Sequence, residues 1–170
     1  MKNKKIVITG GAGFIGSQLV IRLVETGNRV IVLDSLIRGN KIPKEFLDQI
    51  ELVVADVCDK DAVEKAVRGC DLIFHFAAIL GVDIVADNPV ETMEVEFLGA
   101  KNVADAAIKY NVEKVVYAST SGVYGKRDME HAATEDGASS PTTSYAIAKR
   151  FNEVYLKSLF EEKGLESVAI

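Results

Sequence analysis

Tyr145 and Lys149 stand one helical turn apart in Tyr145-Ala146-Ile147-Ala148-Lys149. Positions i and i+4 of a helix share a face. A phenol ordinarily titrates near 10, and an ammonium beside it favours the phenolate, so the pair could act as a general acid/base near neutral pH. Upstream, Ala118-Ser119-Thr120-Ser121-Gly122 offers hydroxyls that could hold a substrate oxygen while Tyr145 moves a proton. A different chemistry lies near the N-terminus, in Thr9-Gly10-Gly11-Ala12-Gly13-Phe14-Ile15-Gly16. Glycines 10, 13 and 16 form G-x-x-G-x-x-G, and glycines 11, 13 and 16 also satisfy G-x-G-x-x-G. A turn without Cβ atoms lets a pyrophosphate reach a helix N-terminus, where unpaired N–H groups and the helix dipole favour an anion. Gly16 would let that helix pack closely on a sheet. Asp34 follows Gly16 by 18 residues. At a strand end its carboxylate could accept both ribose hydroxyls of an adenosine and would repel a 2′-phosphate. NAD is therefore expected in preference to NADP, a preference that nearby Arg38 tempers.

These residues need a frame, and the hydropathy pattern supplies one. Short apolar runs at Lys5–Thr9, Arg29–Leu33, Ile50–Val54, Asp71–Phe76 and Glu113–Ala118 read as strands, and Glu166–Ile170 as the start of a sixth. Between them, Phe14–Thr26 reads as a helix with Ile15, Leu19 and Leu23 on one face, stopped at Gly27. Val90–Tyr110 is a long helix with Met93, Phe97, Ala100, Ala104, Ala107 and Ile108 at core spacing. Asp59 is placed to cap a helix carrying Ala62, Val63, Ala66 and Val67. A further helix spans about Thr143 to Lys163, ended by Gly164. The loop holding Pro43 has room for a short helix. Continuous strand hydrophobicity with strand–helix alternation predicts an α/β fold, a doubly wound parallel sheet of the Rossmann type in the order 3-2-1-4-5-6. Its widest gaps, Asp34–Gln49 and Gly122–Thr142, follow strand ends, where such sheets bind ligands.

The 170 residues fit one domain, and 48% are apolar, enough to bury a core. A net charge of −5 provides no pull toward nucleic acid or an anionic membrane. Behind the basic start, Ile6-Val7-Ile8 is too short for a signal sequence or a membrane span. Cys58 and Cys70 are too few for a disulfide framework, and no His/Cys cluster has metal-ligand spacing. They read as reduced thiols in a cytoplasmic protein that binds no metal.

Taken together, the motifs resemble the extended short-chain dehydrogenase/reductase superfamily, specifically the NAD-dependent epimerase/dehydratase family and its nucleotide-sugar 4-epimerases. The resemblance runs over the whole chain. Thr9–Ser17 is very close to the family's cofactor turn, and Asp34–Gly39 looks like its D-x-L-x-x-G segment. Ala55-Asp56-Val57 matches the adenine-contacting strand end, and His75-Phe76-Ala77-Ala78 matches H-x-A-A, whose backbone lines the cofactor. The resemblance implies Thr120 as the catalytic hydroxyl, Tyr145 as the acid/base and Lys149 as its partner, with Ser119 in support. It implies cofactor contacts at Gly10, Gly13, Phe14, Ile15, Gly16, Asp34, Asp56, Val57, Ala77, Ala78, Tyr145 and Lys149. His75 is read as packing, and His131, which belongs to no motif, as solvated. The implied reaction is epimerisation of a nucleotide-sugar. Hydride leaves a sugar carbon for the nicotinamide, and the transient keto-sugar turns and is reduced from its other face. A homodimer paired through the two long helices is also implied.

The chain departs from the family at three points. Glu96 stands where N-x-x-G-T usually has asparagine. Ser121 and Gly122 follow Thr120 where 4,6-dehydratases carry an Asp-Glu pair, so elimination lacks its acid and base. Family members run to roughly twice this length, a further domain adding about 100–200 residues. Residues 1–170 are thus read as the NAD-binding domain without the C-terminal substrate domain, either an excised portion or a minimal protein. The open edge of the sixth strand would favour self-association. Two alternatives to the epimerase remain: an NAD-linked alcohol oxidoreductase of the same superfamily, and an NAD-binding module without turnover.

Overall fold

The computed structural model describes residues 1–79, 81–126 and 132–170, with Val82 described by its backbone alone. Strands and helices alternate: β1 (Lys5–Thr9), α1 (Phe14–Glu25), β2 (Arg29–Asp34), α2 (Lys44–Leu47), β3 (Ile50–Val54), α3 (Lys60–Val67), β4 (Leu72–His75), α4 (Val82–Asp87), α5 (Pro89–Lys109), β5 (Lys114–Tyr117), α6 (Ser144–Lys163) and β6 (Ser167–Ala169). The strands form one parallel sheet in the order β3-β2-β1-β4-β5-β6, the Rossmann arrangement expected from the sequence.

Period-2 alternation in β1 explains why both faces are covered. Ile6 and Ile8 point into a core with Val20 and Leu23 of α1, while Val7 joins the opposite core with α3, α5 and α6. Helix ends follow local chemistry. Asp59 accepts from the amides of Asp61 and Ala62 at the start of α3, and Thr143 accepts from Ala146 N at the start of α6. Gly164 closes α6 in the left-handed conformation. His131 lies outside the described residues.

Two residues expected in the core are not there. Ile15 is 67% exposed and Met93 40% exposed. Ile15 sits in the exposed first turn of α1, and α5 turns Thr92, Glu96, Gly99, Ala100 and Val103 inward instead. No apolar period in the sequence marks the short helix α4. Cys58 and Cys70 are free thiols, each pushed up to about 11 by burial.

One row of the sheet positions the cleft. Leu33, Thr9, His75 and Tyr117 are register partners in four adjacent strands. The residues just beyond this row are Asp34, Gly10, Phe76 and Ala118. They lie together at the C-terminal edge, where the strand order reverses between β1 and β4.

Candidate active site

The glycine-rich turn owes its shape to close backbone packing. Gly10 has φ +68°, and a Cβ there would stand 2.7 Å from the Ala77 nitrogen. A Cβ on Gly16 would stand 2.4 Å from the Gly10 carbonyl oxygen. Gly13 differs: its Cβ would meet a single atom, Gly10 O at 3.2 Å. Gly11 has a negative φ, and a Cβ there would stand 2.9 Å from Val32 Cγ1. Gly13 is the N-cap of α1, with no side-chain cap and no acidic residue in the first turn. Phe14 and Ile15, 80% and 67% exposed, stand at this uncapped end. A helix N-terminus left open in this way retains its affinity for an anion.

Asp34 sits beside the turn and also helps to build it. Its Oδ2 accepts from Ala12 N at 2.9 Å and its Oδ1 from Leu36 N at 2.9 Å. Each carboxylate oxygen keeps a lone pair for another donor. On the far side of Gly10, Ala77 N donates to Thr9 Oγ1 at 3.2 Å, and Thr9 Oγ1 pairs with His75 Nδ1 at 2.7 Å. His75 is 2% exposed, and burial holds its pKa down at about 3, in keeping with a packing role. Asp56 is exposed at the end of β3, where its carboxylate accepts from Cys58 N; Val57 is buried under Gly99.

The acid/base residues line up along α6 and the loop after β5. Thr120 Oγ1 accepts from Gly122 N at 3.2 Å, which leaves its O–H free to donate. Ser119 donates to Glu153, which also pairs with Arg150 at 2.7 Å. This fixes Ser119 on α6 and singles out Thr120 as the hydroxyl facing a ligand. Tyr145 is half-buried and borders a cleft of about 540 Å³ lined also by Ile79, Val85, Pro89 and Ser144.

Lys149 is near Tyr145, as its spacing implies, but its charge is paired elsewhere. Its ammonium lies 5.4 Å from the centre of the Tyr145 ring, but its ion-pair partner is Glu96 Oε2 at 3.0 Å, and both side chains are at most 1% exposed. Burial depresses the Lys149 pKa and raises that of Glu96, while their mutual attraction opposes both shifts. The Tyr145 phenol is pushed up to about 12, by burial first and by Glu96 second, rather than lowered by lysine. Glu96 was legible as a departure from the family pattern. Its partner was not, because 53 residues separate it from Lys149. Asn152, also not foreseen, donates from Nδ2 to Glu96 O and to Tyr117 OH, both at 3.0 Å.

With this geometry in place, comparison with known proteins is decisive. The NAD dependent epimerase/dehydratase family matches residues 6–170. The chain belongs to this family. It is 39% identical over 155 residues to a UDP-N-acetyl-alpha-D-glucosaminuronate decarboxylase of Bacillus cytotoxicus, an alignment covering 88% of this chain and 48% of that protein. Among solved structures, UDP-N-acetylglucosamine 4-epimerase from Methanobrevibacter ruminantium superposes with a TM-score of 0.91 at 32% identity, covering 99% of this chain and 54% of that one. The UDP-glucose 4-epimerase of Thermus thermophilus, in complex with NAD, gives 0.88 at 36% identity, covering 97% and 53%. The chain spans about half the length of the relatives that it matches.

Proposed function

We propose that residues 1–170 form the cofactor-binding part of an NAD-dependent nucleotide-sugar epimerase. The observation that carries this reading is the N-terminus of α1, uncapped, without acidic residues, and flanked by the Asp34 carboxylate. That cradle fits a dinucleotide. Gly10, Gly13, Phe14, Ile15 and Gly16 would receive the pyrophosphate, and Asp34 the adenosine ribose. Asp56 and Val57 would border the adenine, and the backbone of Ala77 and Ala78 the middle of the cofactor. Tyr145 and Lys149 would flank the nicotinamide ribose. NAD, when bound, supplies a reversible hydride acceptor. The chain's own residues handle the proton: Thr120 holds a sugar oxygen with its free O–H, and Tyr145 Oη exchanges the hydroxyl proton. Ser121 and Gly122 beside Thr120 offer no acid/base pair for elimination. This favours epimerisation over dehydration.

The partner is then a nucleotide-sugar, and the setting is the cytoplasm. Among the described residues no helix is long and apolar enough to cross a membrane. A homodimer would form through α5 and α6, whose outer faces leave Met93, Leu98, Ile147, Phe151 and Val154 at least 40% exposed.

Calorimetric titration with NAD and NADP tests the reading, with Gly13→Val as control. Saturable NAD binding, weaker for NADP and lost in the control, is expected. A folded protein that binds neither would overturn it. Binding of NAD without sugar interconversion by the whole protein would favour the non-catalytic module, and net NADH formation from an alcohol would favour the simple oxidoreductase.

A further inference from the structure

Glu96 replaces a neutral amide with a charge at the centre of the acid/base apparatus. Its carboxylate reaches Lys149 directly, at 3.0 Å, across the α5–α6 seam. Its backbone is held by Asn152, and the Lys149 ammonium lies 4.8 Å from the centre of the Tyr117 ring on β5 and 5.4 Å from that of Tyr145. The titratable groups around the pair come from three elements: His75 on β4, Tyr117 on β5, and Tyr145 and Glu153 on α6. Near neutral pH, His75 and both tyrosines are uncharged, and Glu153 is engaged by Arg150 and Ser119. Glu96 is therefore the charge that acts on Tyr145, second to burial and in the same direction.

We propose that Glu96 is a positioning residue that withholds the Lys149 cation from Tyr145, so that the free protein keeps its phenol protonated. A cation beside a phenol favours phenolate and an anion opposes it. A buried ion pair has no net charge, and its negative end is the one that raises Tyr145. Recruiting Lys149 to the cleft means breaking the pair, which leaves a buried charge uncompensated. The proton thus starts on Tyr145 Oη, and readiness to accept one from a substrate hydroxyl depends on what enters the cleft. The inference rests on the reading of Tyr145 as the acid/base. Its test reads ionisation rather than turnover or cofactor binding, so the two can fail separately.

The measurement is the ultraviolet phenolate titration of the ligand-free chain. Each protein is paired with its Tyr145→Phe counterpart, so that the difference isolates Tyr145 from the other four tyrosines. Glu96→Gln is expected to lower the Tyr145 titration by about one pH unit or more, tenfold more phenolate at a given pH. Glu96→Asp, which keeps the charge, should stay near the wild type. An unchanged or raised titration in a folded Glu96→Gln protein overturns the proposal. If that variant does not fold, the wild type still decides. Nitrogen-15 NMR of its lysine side chains should show Lys149 as a protected ammonium at pH 7 whose signal shifts as Glu96 titrates. A neutral or solvent-exchanging Lys149 amine there overturns the proposal equally.

Discussion

At the glycine-rich turn, position is held mainly by backbone atoms in contact, Gly10 against Ala77 and Gly16 against Gly10, with the Asp34 carboxylate bonded to Ala12 N. At the α5–α6 seam it is held by a buried ion pair, an asparagine bridge and three aromatic rings, Phe97, Phe151 and Tyr155, partly open to solvent. The first region carries the motif that the sequence marks as a cofactor turn, and the second carries the departure from the family pattern, Glu96. The backbone contacts tolerate no added atom and carry no charge of their own. At the seam a charge, Glu96, acts on the phenol. Binding and chemistry can therefore diverge independently within one cleft.

The largest expected effect breaks the glycine-rich region. Gly16→Ala forces a Cβ to within 2.4 Å of Gly10 O and 2.6 Å of Gly11 Cα, backbone atoms that cannot rotate away. Overpacking of this kind costs typically about 1–3 kcal/mol, and here the upper end is expected. Urea unfolding should show it. Gly13→Ala, which meets Gly10 O alone at 3.2 Å, should leave stability within about 1 kcal/mol of the wild type. Its loss should appear in NAD affinity instead. Equal destabilisation by both substitutions would erase the distinction between the glycine that builds the turn and the glycine that faces the ligand.

A second test lies where the regions meet. His75 bonds to Thr9 on the turn side and stacks obliquely near Tyr117 on the seam side, ring centres 5.6 Å apart. Its pKa is about 3 when folded, against 6.5 for the free side chain. The unfolded chain therefore takes up a proton that the folded chain refuses. The resulting stability is complete above pH 6.5 and is lost as pH falls toward 3. Between pH 7 and pH 5 this amounts to about 2 kcal/mol for one such group. His75→Gln should remove that part of the acid sensitivity. Comparing variant with wild type at both pH values cancels the carboxylates, including Glu96, whose raised pKa acts in the opposite sense. An equal acid loss in both proteins would mean that His75 titrates freely and that the two regions are not joined through it.

Much of the fold could be read in advance because its determinants are local. β1, the turn and α1 lie within Lys5–Glu25, and the cap at Asp59 and the stop at Gly164 each depend on one turn of chain; the sequence marks Thr143 as a helix start, not as its cap. What escaped was tertiary. Ile15 has helical spacing but is exposed in the first turn of α1, and Met93 faces outward because α5 turns toward Val57 and α6 at Gly99 and Glu96. The spacing of Asp34 points to a ribose, while its bonds to Ala12 and Leu36 depend on how the turn folds back over β2. The Lys149–Glu96 pair joins two helices, and no periodicity within either predicts it.

The smallest expected effect asks whether a cap is only a cap. Thr143 and Asp59 each bond to free amides at a helix start, and replacing either with alanine should cost about 1 kcal/mol. The contexts differ. Asp59→Ala frays α3, which carries none of the acid/base residues. Thr143→Ala frays the turn of α6 that contains Tyr145, and Thr143 itself lines the same cleft. Both variants should therefore lose similar stability in thermal unfolding, while only Thr143→Ala lowers the Tyr145 titration, because a frayed first turn admits water to a phenol whose pKa is raised chiefly by burial. If Thr143→Ala leaves that titration in place, Tyr145 is held by its neighbours on α5 and β5 rather than by the start of its own helix, and the seam is as rigid as the glycine turn.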